Sequence, residues 1–66
     1  MNWINFYISG RKPRDGSWVL IQTTWIRPTP PRYEVCYFKD NEWYIPANDN
    51  DYEDENITNW AYIQED

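Results

Sequence analysis

The sequence predicts a mainly β protein with a single antiparallel sheet of three to four strands, a central hairpin and an acidic loop. If one short helical turn forms, the alternative is a small α+β fold. Runs of β-branched and aromatic residues dominate the chain, while helical periodicity is weak. Turn-forming residues separate these runs at short intervals. A length of 66 residues allows one small domain, residues 1–66.

The first apolar run, residues 3–8, is ambiguous between strand and helix. Trp3 and Tyr7 have the i, i+4 spacing of neighbours on a helix, and polar and apolar residues alternate poorly. We favour a strand or an irregular segment that packs on the sheet and ends at Gly10.

The next run, residues 18–26, is the strongest single strand, and a D-G turn signal stands just before it. Residues 18–21 are all apolar, so we expect both faces of the strand to be covered where it begins. From Gln22 one side becomes polar. Residues 27–31 contain three prolines and predict a loop, because proline cannot donate a hydrogen bond to a neighbouring strand.

Residues 33–38 and 42–45 predict an antiparallel hairpin, which is the most secure local pattern. Asp40 and Asn41 between them tolerate the left-handed conformation of a tight turn, and Pro46 ends the second strand. Alternation along the first strand places three side chains on one face: Tyr33, Val35 and Tyr37.

The rest of the chain predicts a loop and a last strand. Residues 47–56 are polar and acidic, and we expect them to form a mobile loop. Residues 57–63 predict the last strand, in which Trp60 and Tyr62 alternate with smaller or aliphatic side chains.

Charge is distributed unevenly along the chain. Residues 1–39 contain six basic and two acidic residues, whereas residues 40–66 contain nine acidic residues and no basic one. These halves carry net charges of +4 and −9, which give the overall charge of −5. In so small a protein this difference must appear on the surface, where it can select partners. We therefore expect a binding protein.

The residue types that most catalytic sites need are scarce. The chain has no His and one cysteine, Cys36. A nucleophile needs a base within hydrogen-bond reach, and one cysteine can form neither an intrachain disulfide nor a zinc site. Because Cys36 stands between Val35 and Tyr37, we expect it to be a small buried residue. We predict no enzymatic activity, no catalytic residue and no cofactor.

Residues 49–53, D-N-D-Y-E, alternate oxygen-bearing side chains as the start of a calcium-binding loop does. Such a loop needs Gly at its sixth position and Glu at its twelfth, where this chain has Asp54 and Trp60. We therefore predict no metal site and interpret the segment as solvated.

The sequence also predicts where the protein is located and what stabilises its fold. No apolar run approaches the roughly 18 residues of a membrane span, and the first residues, M-N-W-I-N, lack the features of a signal peptide. We expect a cytoplasmic protein with a reduced thiol and no membrane partner. A core of this size rarely supplies more than about 3–5 kcal/mol of stability. Two further sources of stability remain, namely the burial of aromatic side chains and assembly into a homo-oligomer.

Several short motifs occur in a particular order. W-I stands at residues 3–4, R-K-P-R-D-G at 11–16 and V-L-I at 19–21, then come an aromatic hairpin with Trp43 and I-T-N-W at 57–60. This order resembles the small phage and prophage domains grouped as domain of unknown function 551, whose pattern runs W-I, R-x-P-x-x-G, V-L-V and T-H-W. The resemblance spans nearly the whole chain and implies a phage protein that acts inside a bacterial host cell.

The chain departs from that pattern in three places. The gap from Trp3 to Arg11 is longer, Asn59 replaces the family's His, and A-Y-I-Q-E-D replaces a proline-rich ending. The absent His removes the one residue that would suggest acid–base chemistry. Small phage proteins are often counter-defence factors, which block a host effector or sequester a signalling molecule. Such a role is implied here by analogy alone.

Two binding hypotheses follow. In the first, an acidic segment imitates a nucleic-acid backbone, docks on a basic host protein and inhibits it. The residues of this segment are Asp49, Asp51, Glu53, Asp54 and Glu55. The competing interpretation of the same segment is a loop that keeps a tryptophan-rich protein soluble.

In the alternative hypothesis, the protein is a sponge that sequesters a small nucleotide-like anion between arginine and aromatic side chains. Its candidate ligand-binding residues are Arg11, Arg14, Trp25, Arg27 and Tyr33. We expect most of the other tryptophans to lie in the core. Long nucleic acid is not an expected partner, because the acidic half would repel its phosphates.

Overall fold

The computed structural model describes residues 1–24 and 30–63. Within these residues the six strands are β1 Ile4–Asn5, β2 Ser17–Thr23, β3 Tyr33–Lys39, β4 Glu42–Ile45, β5 Asn50–Tyr52 and β6 Ile57–Tyr62. They form one sheet in the order β1-β6-β2-β3-β4-β5, and each neighbouring pair is antiparallel. The other elements are helix α1 (Phe6–Ser9) and two 3₁₀ turns, Pro46–Asn48 and Asp54–Asn56.

The predicted mainly β fold with a single antiparallel sheet is confirmed, but the predicted three to four strands are fewer than the six found in the described residues. The strands at the two edges of the sheet are short: β1 has two residues and β5 has three. Such short strands show no alternation of apolar residues. Backbone pairing to β6 and β4 holds them in place instead.

The expectation that residues 47–56 form only a loop is wrong. This segment forms most of the first 3₁₀ turn, then β5, then the second 3₁₀ turn. β4 ends at Ile45, and Pro46 begins the first turn, as predicted. Asp49 then adopts the left-handed conformation with φ of 50°, and the chain turns back so that β5 pairs with β4. Polar residues suit β5 because it lies at the edge of the sheet.

Residues 3–8 contain both a strand and a helical turn. Asn5 ends β1 and caps α1, since its side-chain oxygen accepts the backbone N–H of Ile8 at 2.9 Å. Gly10 was predicted to end a strand or irregular segment; instead it caps the helix in the left-handed conformation, with φ of 68°.

The predicted hairpin is confirmed and forms β3 and β4. Asp40 and Asn41 both have positive φ, at 52° and 66°, as a two-residue hairpin turn with the right-handed strand twist requires. The preceding strand, β2, begins one residue before the predicted start and ends at Thr23. Predicted positions 25 and 26 lie outside the described residues.

One face of the sheet carries the core. Its largest fully buried side chains are Trp43, Trp60, Ile21, Ile45, Ile57, Val19 and Cys36. Phe6 of α1 packs edge-on against Trp43, with 5.4 Å between the ring centroids. The indole N–H of Trp60 donates to the carbonyl of Arg11 at 2.7 Å. Pro13, two residues after Arg11 in the sequence, is buried. The expectation of core positions is therefore confirmed for Trp43, Trp60 and Cys36.

The expectation that both faces of β2 are covered is wrong. Val19 and Ile21 are fully buried, but Trp18 is 49% exposed on the opposite face. Leu20 lies on the same face as Trp18 and is only partly buried. Helix α1 and Arg11 contact the core face. The other face is covered only in part: Trp3 packs against Tyr33, and Ala61 is fully buried.

Candidate functional site

The predicted partner-binding residues lie together at one edge of the sheet. We call them the acidic edge: Asp49, Asp51, Glu53, Asp54 and Glu55. They occupy edge strand β5 and the turns on either side of it, and all five are exposed. The hairpin prediction alone did not imply this position, because it depends on β5 pairing with β4.

Asp54 is anchored to the core. Its carboxylate accepts the indole N–H of buried Trp43 at 2.8 Å and forms an ion pair with Lys12 at 3.1 Å. Partial burial alone would raise the pKa of Asp54, but the hydrogen bond from Trp43 and the Lys12 ammonium outweigh it and lower that pKa. The carboxylate therefore stays ionised while it fixes the second 3₁₀ turn against β4.

Asp49 and Glu53 shape the backbone on either side of β5. Asp49 accepts the hydroxyl of Tyr44 at 2.8 Å, and this hydrogen bond is the largest of the causes that raise the pKa of Tyr44. Glu53 forms a capping box with Asn56, in which each side chain accepts the other residue's backbone N–H. Both carboxylates are held in place by local hydrogen bonds and remain exposed.

Tyr52 fixes β5 from the core side. Its hydroxyl donates a short hydrogen bond to Glu34 of β3. Burial first, and then this hydrogen bond, raises the pKa of Tyr52. The edge strand is thus tied to two strands of the sheet, through its pairing with β4 and through Glu34.

Asp51 and Glu55 differ from the other acids because no described residue forms a hydrogen bond or an ion pair with their carboxylates. Asp51 and Glu53 both have extended backbone and lie two residues apart, so their Cα atoms are about 6.6 Å apart. In this conformation their side chains point to the same side of the chain. A groove of about 840 Å³ runs beside them. Its lining residues are Asn41, Glu42, Asp51, Tyr52, Glu53, Asp54 and Glu55.

The chemistry available at this edge is electrostatic. Within residues 1–24 and 30–63, no group of three or more carboxylate or thiol side chains is arranged to hold a metal ion. Cys36 is buried in the hydrophobic core, and burial first, then Asp51 and Glu34, raises its pKa to about 12. Its thiol is therefore almost fully protonated at neutral pH.

A second surface was missed at the sequence level. We call it the open face: Trp3, Trp18, Leu20, Tyr33, Val35 and Tyr37. Cross-strand pairing aligns Trp18 with Tyr37 and Leu20 with Val35 on the face away from the core. Ring centroids of Trp18 and Tyr37 lie 4.8 Å apart, and those of Trp3 and Tyr33 lie 5.6 Å apart. The predicted shared face of Tyr33, Val35 and Tyr37 is confirmed and was the signal for this surface.

Two of the candidate ligand-binding residues lie on the core side of the sheet. The carbonyl of Arg11 accepts the indole N–H of Trp60, as described above. The Arg14 guanidinium lies 4.4 Å from the ring centroid of Tyr62, and the backbone N–H of Arg14 donates to the Tyr62 hydroxyl at 2.9 Å. Arg14 therefore stacks on a ring of this chain.

The structure does not bring these residues to Tyr33. Tyr33 pairs with Gln22, whereas Tyr62 pairs with Val19, which points to the opposite face of β2. Arg14 and Tyr33 thus lie on different faces of the sheet. The other two candidates, Trp25 and Arg27, lie outside the described residues.

No protein-family model, curated protein or solved structure matches this chain. The described residues include no helix of the length and apolar content needed to cross a membrane.

Proposed function

We propose that this protein is a non-enzymatic binding protein of phage type, whose acidic edge docks on a basic surface of a host protein and inhibits it. The observation that carries the proposal is the display of Asp51, Glu53 and Glu55 at a sheet edge, with no cation paired to them among the described residues. Counter-defence in the host cytoplasm is the role that fits such an inhibitor and the resemblance of the sequence to phage domains.

Charge supports this choice of partner. The one ion pair between described residues, Lys12 with Asp54, neutralises a single acid of the acidic edge. The remaining field attracts a positive surface, speeds diffusional encounter and penalises acidic partners. The extended spacing of Asp51 and Glu53 also places two negative charges about 6.6 Å apart, a separation comparable to that of neighbouring phosphates on a nucleic-acid strand.

The competing role for these acids is protection of the edge strand. Charged residues on an exposed edge discourage pairing with another chain, and a net negative charge favours solubility. The two roles predict different behaviour, because protection concerns aggregation while docking concerns the rate of association with a specific partner.

The test compares association rates. Partners are captured from lysate of infected host cells and identified by mass spectrometry, and the rate constant for association is then measured against salt concentration. In the triple variant Asp51→Asn/Glu53→Gln/Glu55→Gln, we expect the rate to fall by about tenfold or more at low salt and its salt dependence to flatten. The control Asp40→Asn removes one charge from the hairpin turn and is compared with Asp51→Asn alone.

An unchanged rate and salt slope in the triple variant would leave the acids with the protective role only. The alternative, sequestration of a small nucleotide-like anion, is tested by calorimetric titration with cyclic and linear nucleotides. Binding that Arg11→Ala and Arg14→Ala each abolish, while the triple variant retains it, would replace the proposed function with that alternative.

A further inference from the structure

We propose that the open face is the interface of a homodimer, in which two copies of this chain pack face to face as a two-sheet sandwich. The proposal rests on a surface separate from the acidic edge and does not depend on the proposed function.

The open face exposes more large apolar area than a solvated sheet face needs. Tyr33 is 61% exposed, Val35 48% and Trp3 42%, in addition to Trp18. These side chains are neighbours, because pairing of β2 with β3 and the two ring contacts place them side by side. A contiguous exposed patch of this kind is typical of an interaction site.

The same face is free of charged side chains at its centre. In the register, Leu20 lies between Val35 and Ala61, and Gln22 lies between Tyr33 and Asn59. One hydrogen bond joins the polar pair, since the Asn59 amide donates to the Gln22 side-chain oxygen at 2.7 Å. A second layer can therefore cover the centre of this face without burying a charge.

The area is sufficient for a dimer. Four side chains of the open face, Trp3, Trp18, Tyr33 and Val35, are about half exposed and present on the order of 100 Å² each. The partly buried Leu20 and Tyr37 add roughly half as much each, which gives about 500 Å² for one copy. Two copies would bury about 1,000 Å², the area that a biological interface should reach. The resulting sandwich would also cover the face of the sheet that lies opposite α1 and the core.

Charge selects the relative orientation of the two copies. The open face spans β1, β6, β2 and β3, while the acidic edge lies beyond β4 at one side. A two-fold axis parallel to the strands places β1 of one copy over β3 of the other, so the two acidic edges lie at opposite ends. An axis perpendicular to the strands would instead stack the two acidic edges, which repel each other. The first arrangement leaves both acidic edges free to bind partners.

Sedimentation equilibrium of the isolated protein tests the proposal, at concentrations from about 1 μM to about 500 μM, a range that brackets dissociation constants expected for a small interface. We expect wild type to dimerise within this range. Val35→Lys should weaken the dimer by about 100-fold or more, because the symmetric interface contains the substitution twice. Tyr33→Lys, at the most exposed position of the open face, serves as a second variant.

The matched control is Ile8→Lys, which places the same charge on α1 at a side chain that is 81% exposed and outside the open face. It should dimerise like wild type, and circular dichroism verifies that each variant is folded. A monomeric wild type at the highest concentration would overturn the proposal. Dimerisation that survives in folded Val35→Lys and Tyr33→Lys, or that is lost in Ile8→Lys, would also overturn it. The triple variant of the acidic edge should still dimerise, which separates this test from that of the proposed function.

Discussion

Asp54 connects the acidic edge to the core, whereas Asp51 on the same edge does not. The Asp54 carboxylate holds the indole of Trp43 and pairs with Lys12, while Asp51 has no hydrogen-bond or ion-pair partner among the described residues. Neutralising each aspartate with asparagine keeps its size and removes one charge. The effect should therefore be on stability at position 54 and on partner binding at position 51.

We predict that Asp54→Asn lowers the free energy of unfolding at pH 7 by about 0.5–1 kcal/mol, since the carboxylate is half exposed and its ion pair is screened. The folded state lowers the pKa of Asp54, so its charge stabilises the fold above the unfolded pKa of about 3.9. That contribution is lost as the pH falls through the folded pKa.

Urea unfolding of wild type and Asp54→Asn, measured from pH 7 down to about pH 2.5 at one protein concentration, checks this prediction. The difference between the two should be constant above about pH 5 and should shrink below about pH 4. Asp51→Asn is the control and should leave stability unchanged. A difference that persists at low pH would show that the amide disturbs packing at Trp43 and that charge is not the cause.

At the scale of elements, the sequence predicts the central hairpin well and the edges of the sheet poorly. Asp40 and Asn41 are residues that tolerate positive φ, and apolar runs flank them, so a local signal identified β3 and β4. In β5 the pattern N-D-Y carries no such signal. Its strand conformation follows from pairing with β4 and from the left-handed turn at Asp49, which are products of the folded chain.

We predict that Asn41→Ala lowers the free energy of unfolding by about 1 kcal/mol. Both residues carry a Cβ that crowds the backbone in the left-handed conformation, but alanine lacks the short polar side chain that offsets this strain in asparagine. Asn41→Gly should have little effect, since glycine adopts φ of 66° without strain. Both substitutions remove the exposed hydrogen bond from Lys12 to the Asn41 side chain, at 2.9 Å. Chemical denaturation of the pair therefore isolates the backbone term. Equal losses in both variants would assign the effect to the Lys12 contact.

The acidic edge and the open face differ in how far the sequence alone could predict them. Clustered acids identified the acidic edge, although the separate roles of Asp51 and Asp54 depend on which of them reaches Trp43. The open face was missed because residues 18–21 are uniformly apolar, and such a run is typical of a strand covered on both sides. Whether a face is covered depends on how many layers the remaining chain can form. Here helix α1 and the second 3₁₀ turn contact the core face.

The open face and the acidic edge should respond to salt in opposite directions. Each copy carries a net charge of −5, so two copies repel each other, while the centre of the open face carries no charge in its paired residues. Raising the salt concentration from about 20 mM to about 300 mM shortens the Debye length from roughly 20 Å to below 8 Å and screens that repulsion. Self-association should therefore strengthen with salt, by a few-fold in the dissociation constant. Binding of a basic partner through the acidic edge should weaken over the same range, because its attraction is screened. Sedimentation equilibrium measures the first effect and the partner's association rate the second. A dimer that dissociates at high salt would be held by ionic contacts and would contradict assembly through the open face.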